Sequence, residues 1–167
     1  MNEPMVSDSN SGSEQIISLL VPMSDSKLIL PTVSVAEMIP YQAPRIQQNM
    51  TIKDIPEWYL GNLVWRGTVV PMISYEILNG EATTNIHSDS QLLILNNTGK
   101  TTKMPFFCIV TQGIPRLCRV TADEIIENET ASTKPYESLA VFVAGEAAII
   151  PDISGLEVTT ASLLGYV

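Results

Sequence analysis

Histidine occurs once in this chain, cysteine twice, and lysine and arginine together nine times against 18 acidic residues. Each scarcity excludes something. Two cysteines and one histidine at this spacing do not make a convincing zinc site. A small secreted domain held by disulfides carries more cysteine than Cys108 and Cys118. The expected setting is a reduced cytoplasm, with both thiols buried as small hydrophobes. A formal charge of −9 argues against nucleic acid and against anionic membrane surfaces as partners. Cationic residues come no closer than three apart, as at Arg116 and Arg119. Apolar runs are short: Leu139 to Gly145 is among the longest, and it falls far below the span of a bilayer. The opening residues show no basic-then-apolar signal pattern, so no direct membrane insertion and no export signal are expected.

What the chain has is length for one domain or for two small lobes: 167 residues, 45% of them hydrophobic. Met1 to Glu14 is rich in Ser, Asn, Asp and Glu and reads as a disordered tail, 1–14. From Gln15 onward, brief apolar runs alternate with turn residues. "QIISLLVPM" and "KLILP" flank a turn at "SDS", and "TVSVAEMI" fits helix or strand equally. Tyr41 to Pro56 reads as a loop. "WYLGNLVWRG" and "TVVPMIS" read as a strand pair turning at Arg66-Gly67. Ser74 then caps a short helix at Tyr75–Leu78, which Asn79-Gly80 ends. "SQLLILNN" and "MPFFCIV" read as a hairpin, "RLCRV" as a strand, and "LAVFVAG" with "EAAIIPDI" as a last strand pair. "TADEIIENETASTK" reads as polar and mobile towards its end, its carboxylates a solvated surface. Many short strands with regular turns indicate an all-β barrel or sandwich.

An ungapped alignment of Gly67 with Gly145 places Val69-Val70 on Ala147-Ala148 and Ser74 on Asp152. Both stretches run apolar strand, glycine turn, apolar strand, helix-capping residue. That pattern suggests two similar β lobes rather than one large sheet. Catalytic patterns fare worse. "NTGKTT" ends like a phosphate loop, yet the first glycine of that motif would fall on Ile94. His87 lies in the polar stretch "TTNIHSDS" with no base or apolar wall nearby in sequence, so a solvated loop residue is the expected reading. No nucleophile elbow occurs, and nothing supports an enzyme or a cofactor.

One segment carries a resemblance. In "YLGNLVWRGTVVPMIS", Gly61, Arg66, Gly67, Val70 and Pro71 stand in the order of the signature hairpin of CheW-like domains. Ser74 stands where that family usually has Asp, and it caps a helix nearly as well. Upstream, "SVAEMIPY" resembles the family's segment that leads into its receptor groove. The wording of residues 19–44 and 57–67 is most similar to the ChpC-type adaptors of Pil-Chp twitching-motility systems. The resemblance implies an all-β fold with short helices: two SH3-like five-stranded β-barrel lobes over a shared core. The lobes would run roughly 24–80 and 88–155 within a domain of 15–167. It also implies a non-catalytic adaptor, monomeric outside a signalling array. Such an adaptor couples the cytoplasmic tip of a chemoreceptor to the regulatory domain of a CheA-type histidine kinase. Carried over by position, Val35, Glu37, Gly61, Arg66 and Gly67 would lie near the receptor groove. Trp65 shares the Gly61 face by alternation and joins them as a binding candidate. Arg66 would order the groove by bonding carbonyls or a carboxylate, or meet a receptor carboxylate directly. A binding module without kinase coupling is the alternative, motivated by the weaker match of the second lobe.

Overall fold

The computed structural model describes residues 14–46 and 54–166; residues 1–13 of the expected tail, and the stretch 47–53 of the expected Tyr41–Pro56 loop, lie outside it. Eleven strands form two sheets. In chain order, β1 (Gln15–Pro22) and β2 (Lys27–Pro31) form a hairpin, and a 3-10 turn at Thr32–Ser34 leads into β3 (Val35–Pro40). The ambiguous "TVSVAEMI" therefore splits into turn and strand. The second hairpin, β4 (Tyr59–Trp65) and β5 (Thr68–Ile73), feeds α1 (Tyr75–Leu78). Next come the hairpin β6 (Gln91–Asn96) and β7 (Phe106–Thr111), then β8 (Arg116–Thr121). A 3-10 turn at Ala122–Glu124 enters β9 (Ile125–Glu127), a strand within the stretch expected to be polar and mobile. The chain finishes with β10 (Glu137–Val143), β11 (Glu146–Pro151) and α2 (Ile153–Leu163).

Cap chemistry follows the residues. The Ser74 side chain accepts from the Ile77 amide at 3.1 Å, and Asp152 accepts from the Gly155 amide at 3.0 Å. Each uses an oxygen to satisfy an amide that a helix start leaves unbonded. The two glycine turns also agree: Arg66 and Gly67 have φ of 48° and 73°, Ala144 and Gly145 of 48° and 82°. Positive φ at both central residues is the condition for a two-residue turn that matches strand twist.

Pairing order completes the comparison. One sheet runs β3-β6-β7-β5-β4, the other β8-β1-β2-β11-β10-β9. Laid side by side, β4-β5 matches β10-β11, and the parallel pair β5–β7 matches β11–β2. Likewise β6-β7 matches β1-β2, and β3 matches β8. Each half of the chain thus gives its first hairpin to the sheet of the other half. The expected lobe limits, 24–80 and 88–155, follow the repeat, and the sheets cut across them. A repeat in sequence reports which segments are alike, not which pair.

Three apolar clusters result. Leu63, Val70, Met72, Leu92, Ile94, Cys108 and Val110 fill the five-stranded side. Leu20, Ile29, Val120, Val141, Val143 and Ala148 fill the six-stranded side. The third and largest takes residues from both sheets and α2: Val21, Leu28 and Leu30 meet Tyr59, Ile73, Leu93, Phe107 and Leu156. Cys108 is buried, and burial pushes its thiol up to about 12. Cys118, expected to be buried too, is only partly covered because it sits on an end strand.

Candidate functional site

β3 and β4 are the two ends of the five-stranded sheet, yet their side chains meet. Trp65, the last residue of β4, donates its indole N–H to Glu37 Oε2 on β3 at 2.5 Å. Arg66, the next residue, places a guanidinium nitrogen 3.4 Å from the same oxygen. Its guanidinium carbon also stands 4.8 Å from the centroid of the Trp65 ring. On the other side, Phe106 packs edge-on against Trp65 with ring centroids 5.0 Å apart. One carboxylate therefore joins the two end strands and curls the sheet towards closure. Arg66 and Glu37 remain open to solvent, with side-chain exposures of 69% and 37%, so this ion pair adds little to stability.

The six residues expected near a groove divide into groups. Glu37, Trp65 and Arg66 form one cluster, and Gly67 completes the turn beside it. Nothing lies within 4 Å of a Cβ built on Gly67, so φ alone favours glycine there. Gly61 lies further back along β4. Its φ is 131°, and an added Cβ would stand 3.0 Å from the Arg45 carbonyl oxygen and from Pro44 Cβ. The chain at Arg45 runs against β4 here: Arg45 and Asn62 exchange backbone bonds of 2.9 and 2.8 Å. Gly61→Ala is expected to lower stability by about 2 kcal/mol, read from the urea midpoint at unchanged slope. Val35 turns the other way and packs on the cluster shared by the two sheets.

Alternation along β4 also departs from expectation. Strict alternation puts Tyr59 on the same face as Gly61, Leu63 and Trp65. Register with β5 shifts between Tyr59 and Gly61, and one extra residue reverses the faces beyond it. Tyr59 accordingly joins the shared cluster, while Leu63 and Trp65 join the other. Exposed apolar residues that composition could not single out flank the turn: Val64 and Val69 are cross-strand partners and stand open at 71% and 49%.

His87 is exposed, and its Nδ1 accepts from the Asp89 amide at 3.2 Å, which makes it a loop residue. A small cavity between Ser24–Ser26 and α1 gathers Tyr75, Glu76, Glu81, Lys134 and Glu137 and has room for little more than a water molecule. Its acids serve as ties: Glu76 accepts from the Ser24 amide, Glu81 pairs with Lys134, and Glu137 accepts from the Lys134 amide. Among the described residues no group of three or more metal-ligating side chains assembles, and no helix is long and apolar enough to cross a membrane.

Two curled sheets sharing a core, with an open Trp-Arg-Glu cluster at one hairpin end, define the class: a β-rich fold of two sheets. Residues 18–158 match the family model of the CheW-like domain, so the chain belongs to the CheW-like domain family. Among solved structures it is similar to the scaffolding protein TtCheW from Thermoanaerobacter tengcongensis. The TM-score is 0.66 at 14% identity, over 83% of this chain and 84% of that one. At that identity the likeness concerns the fold. No curated protein matches.

Proposed function

We propose that this protein is a non-catalytic coupling adaptor of a chemosensory system, joining a chemoreceptor tip to a CheA-type histidine kinase in the cytoplasm. The observation that carries the reading is the Glu37–Trp65–Arg66 cluster, which ties β3 to the hairpin whose residues carry the family's signature. A carboxylate and an indole hold the guanidinium at the rim of an apolar surface, which reduces the rotamer freedom lost when a partner binds. Membership of the ChpC-type group, and hence service to type IV pilus twitching, is supported by the wording of residues 19–44 and 57–67. In this reading Val35 and Gly61 act indirectly, through the core and through the chain at Arg45, while Glu37, Trp65, Arg66 and Gly67 face the partner.

The test titrates the chain against a receptor cytoplasmic hairpin fragment and, separately, a kinase regulatory domain. Arg66→Ala is expected to weaken one of them by about 2 kcal/mol, roughly 30-fold in Kd, with its urea midpoint unchanged. Normal binding of both partners by the variant would remove Arg66 from the interface. Failure of the unaltered chain to bind either would leave a CheW-like module that recruits something else.

A further inference from the structure

Four strands end the two sheets, and their edges are not alike. β4 is bridged at Asn62 by Arg45 and, through Trp65, tied to β3. β9 spans only Ile125–Glu127. β8 is different. Among the described residues it pairs with β1 alone, through an unbroken register from Gln15↔Thr121 to Leu20↔Arg116, and it holds neither proline nor bulge. An end strand of this kind presents unpaired N–H and C=O groups to any further strand, and proteins commonly blunt such edges.

Side chains on β8 say what the added strand would carry. Cys118 and Val120 belong to the six-stranded cluster, so Leu117 and Arg119 project from the opposite face. Leu117 is 66% exposed. Arg119 stands across from Ile17, itself 48% exposed. Among the described residues Arg119 makes no ion pair, whereas Arg116 is held by Glu146 at 2.6 Å. An apolar position and a free guanidinium therefore alternate along an open edge, on a chain whose charge is otherwise strongly negative.

We propose that the β8 edge accepts an extended segment of a partner protein as an additional strand. That segment carries an apolar side chain against Leu117, and a carboxylate two residues away against Arg119. Main-chain bonds supply affinity in this mode, and alternate side chains supply selectivity. A second copy of this chain fits poorly, because β8 against β8 brings Arg116 and Arg119 of both copies together. The surface lies on the other sheet from Arg66 and does not depend on the adaptor reading.

The probe is a labelled peptide, acetyl-Val-Thr-Glu-Thr-Val-Thr-Glu-amide, titrated into the full chain by fluorescence anisotropy. Three control peptides carry lysine for glutamate, or N-methyl groups on one or the other set of alternate amides. The glutamate peptide is expected to bind about tenfold tighter than the lysine peptide. Arg119→Glu should reverse that order, and N-methylation on the pairing side should abolish binding. Amide exchange should slow at β8 when the glutamate peptide is present and nowhere along β4. Equal affinity for the two charged peptides, binding that survives both methylation patterns, or no binding of the glutamate peptide would each overturn the proposal. So would a dimer of the free chain that itself protects β8.

Discussion

Phe107→Ala is expected to lower the stability of the whole protein by about 4 kcal/mol, in a single urea transition with the slope of the unaltered chain. Phe107 is fully buried, lies on β7 between β5 and β6, and belongs to the cluster that both sheets share. Removing its ring takes away apolar contact and leaves a cavity whose walls come from different sheets and from α2. Those walls are fixed by two separate hydrogen-bond ladders, so they collapse poorly onto the space, and cavity cost rises with what stays empty. Phe107→Leu keeps most of the volume and should cost roughly 1 to 1.5 kcal/mol. Because the shared cluster is the joint between the sheets, both should melt together. Two separated transitions, or a loss confined to amides of the five-stranded sheet, would contradict this assignment of the core.

The second large effect is expected at Glu157. This carboxylate is fully buried on α2, a place where an acid needs partners. It accepts from the Thr98 amide at 2.7 Å, from the Thr98 hydroxyl, and from the Thr101 amide at 3.2 Å. The partners all belong to the turn between β6 and β7, so one side chain fastens the C-terminal helix to that hairpin. Glu157→Ala removes every acceptor at once and leaves the Thr98 amide and the amide of buried Thr101 without these bonds. The expected loss is about 3 kcal/mol, read by urea unfolding, with faster amide exchange at Thr98 and Thr101. Glu157→Gln keeps one carbonyl oxygen but turns an amide N–H₂ towards donors, so it should fall between. A Gln variant as stable as the unaltered chain would show that charge and the second acceptor contribute nothing at this position.

Much of the local structure was legible because short-range chemistry decides it. Arg66-Gly67 marks its turn by glycine, Ser74 and Asp152 cap helices by oxygen placement, and the run from Gln91 to Asn96 is apolar enough to read as a buried strand. β9 escaped because its pairing with β10, not its own composition, makes it a strand. The α2 helix beyond its cap was hard to read, since "ISGLEVTTASL" mixes Gly and β-branched residues with little face periodicity. Glu157 left no local trace, because its partners lie in a turn remote in sequence. For the site, sequence brought Trp65, Arg66 and Gly67 together by adjacency. The carboxylate that receives Trp65 and Arg66, Glu37, was expected in the same region only through the family resemblance. Its bond to the indole depends on how far the sheet curls, which no spacing in the chain encodes.

The exchanged hairpins also set an order of events during synthesis. β1 and β2 leave the ribosome first, carrying Leu20, Val21, Leu28 and Leu30. The strands that flank them, β8 and β11, are among the last, with Leu28 waiting for Ile149. At ordinary elongation rates that wait lasts on the order of ten seconds. Until β8 emerges an apolar hairpin has neither of its neighbours, and from then until β11 it has one; β3, β4 and β5 likewise await β6 and β7. Neither sheet can close before chain from the other half exists, so the nascent protein passes through a long adhesive interval before it collapses as one unit. Chaperone demand should therefore be highest late in translation, and slowing the ribosome after Asn79 should lower the yield of soluble protein rather than raise it.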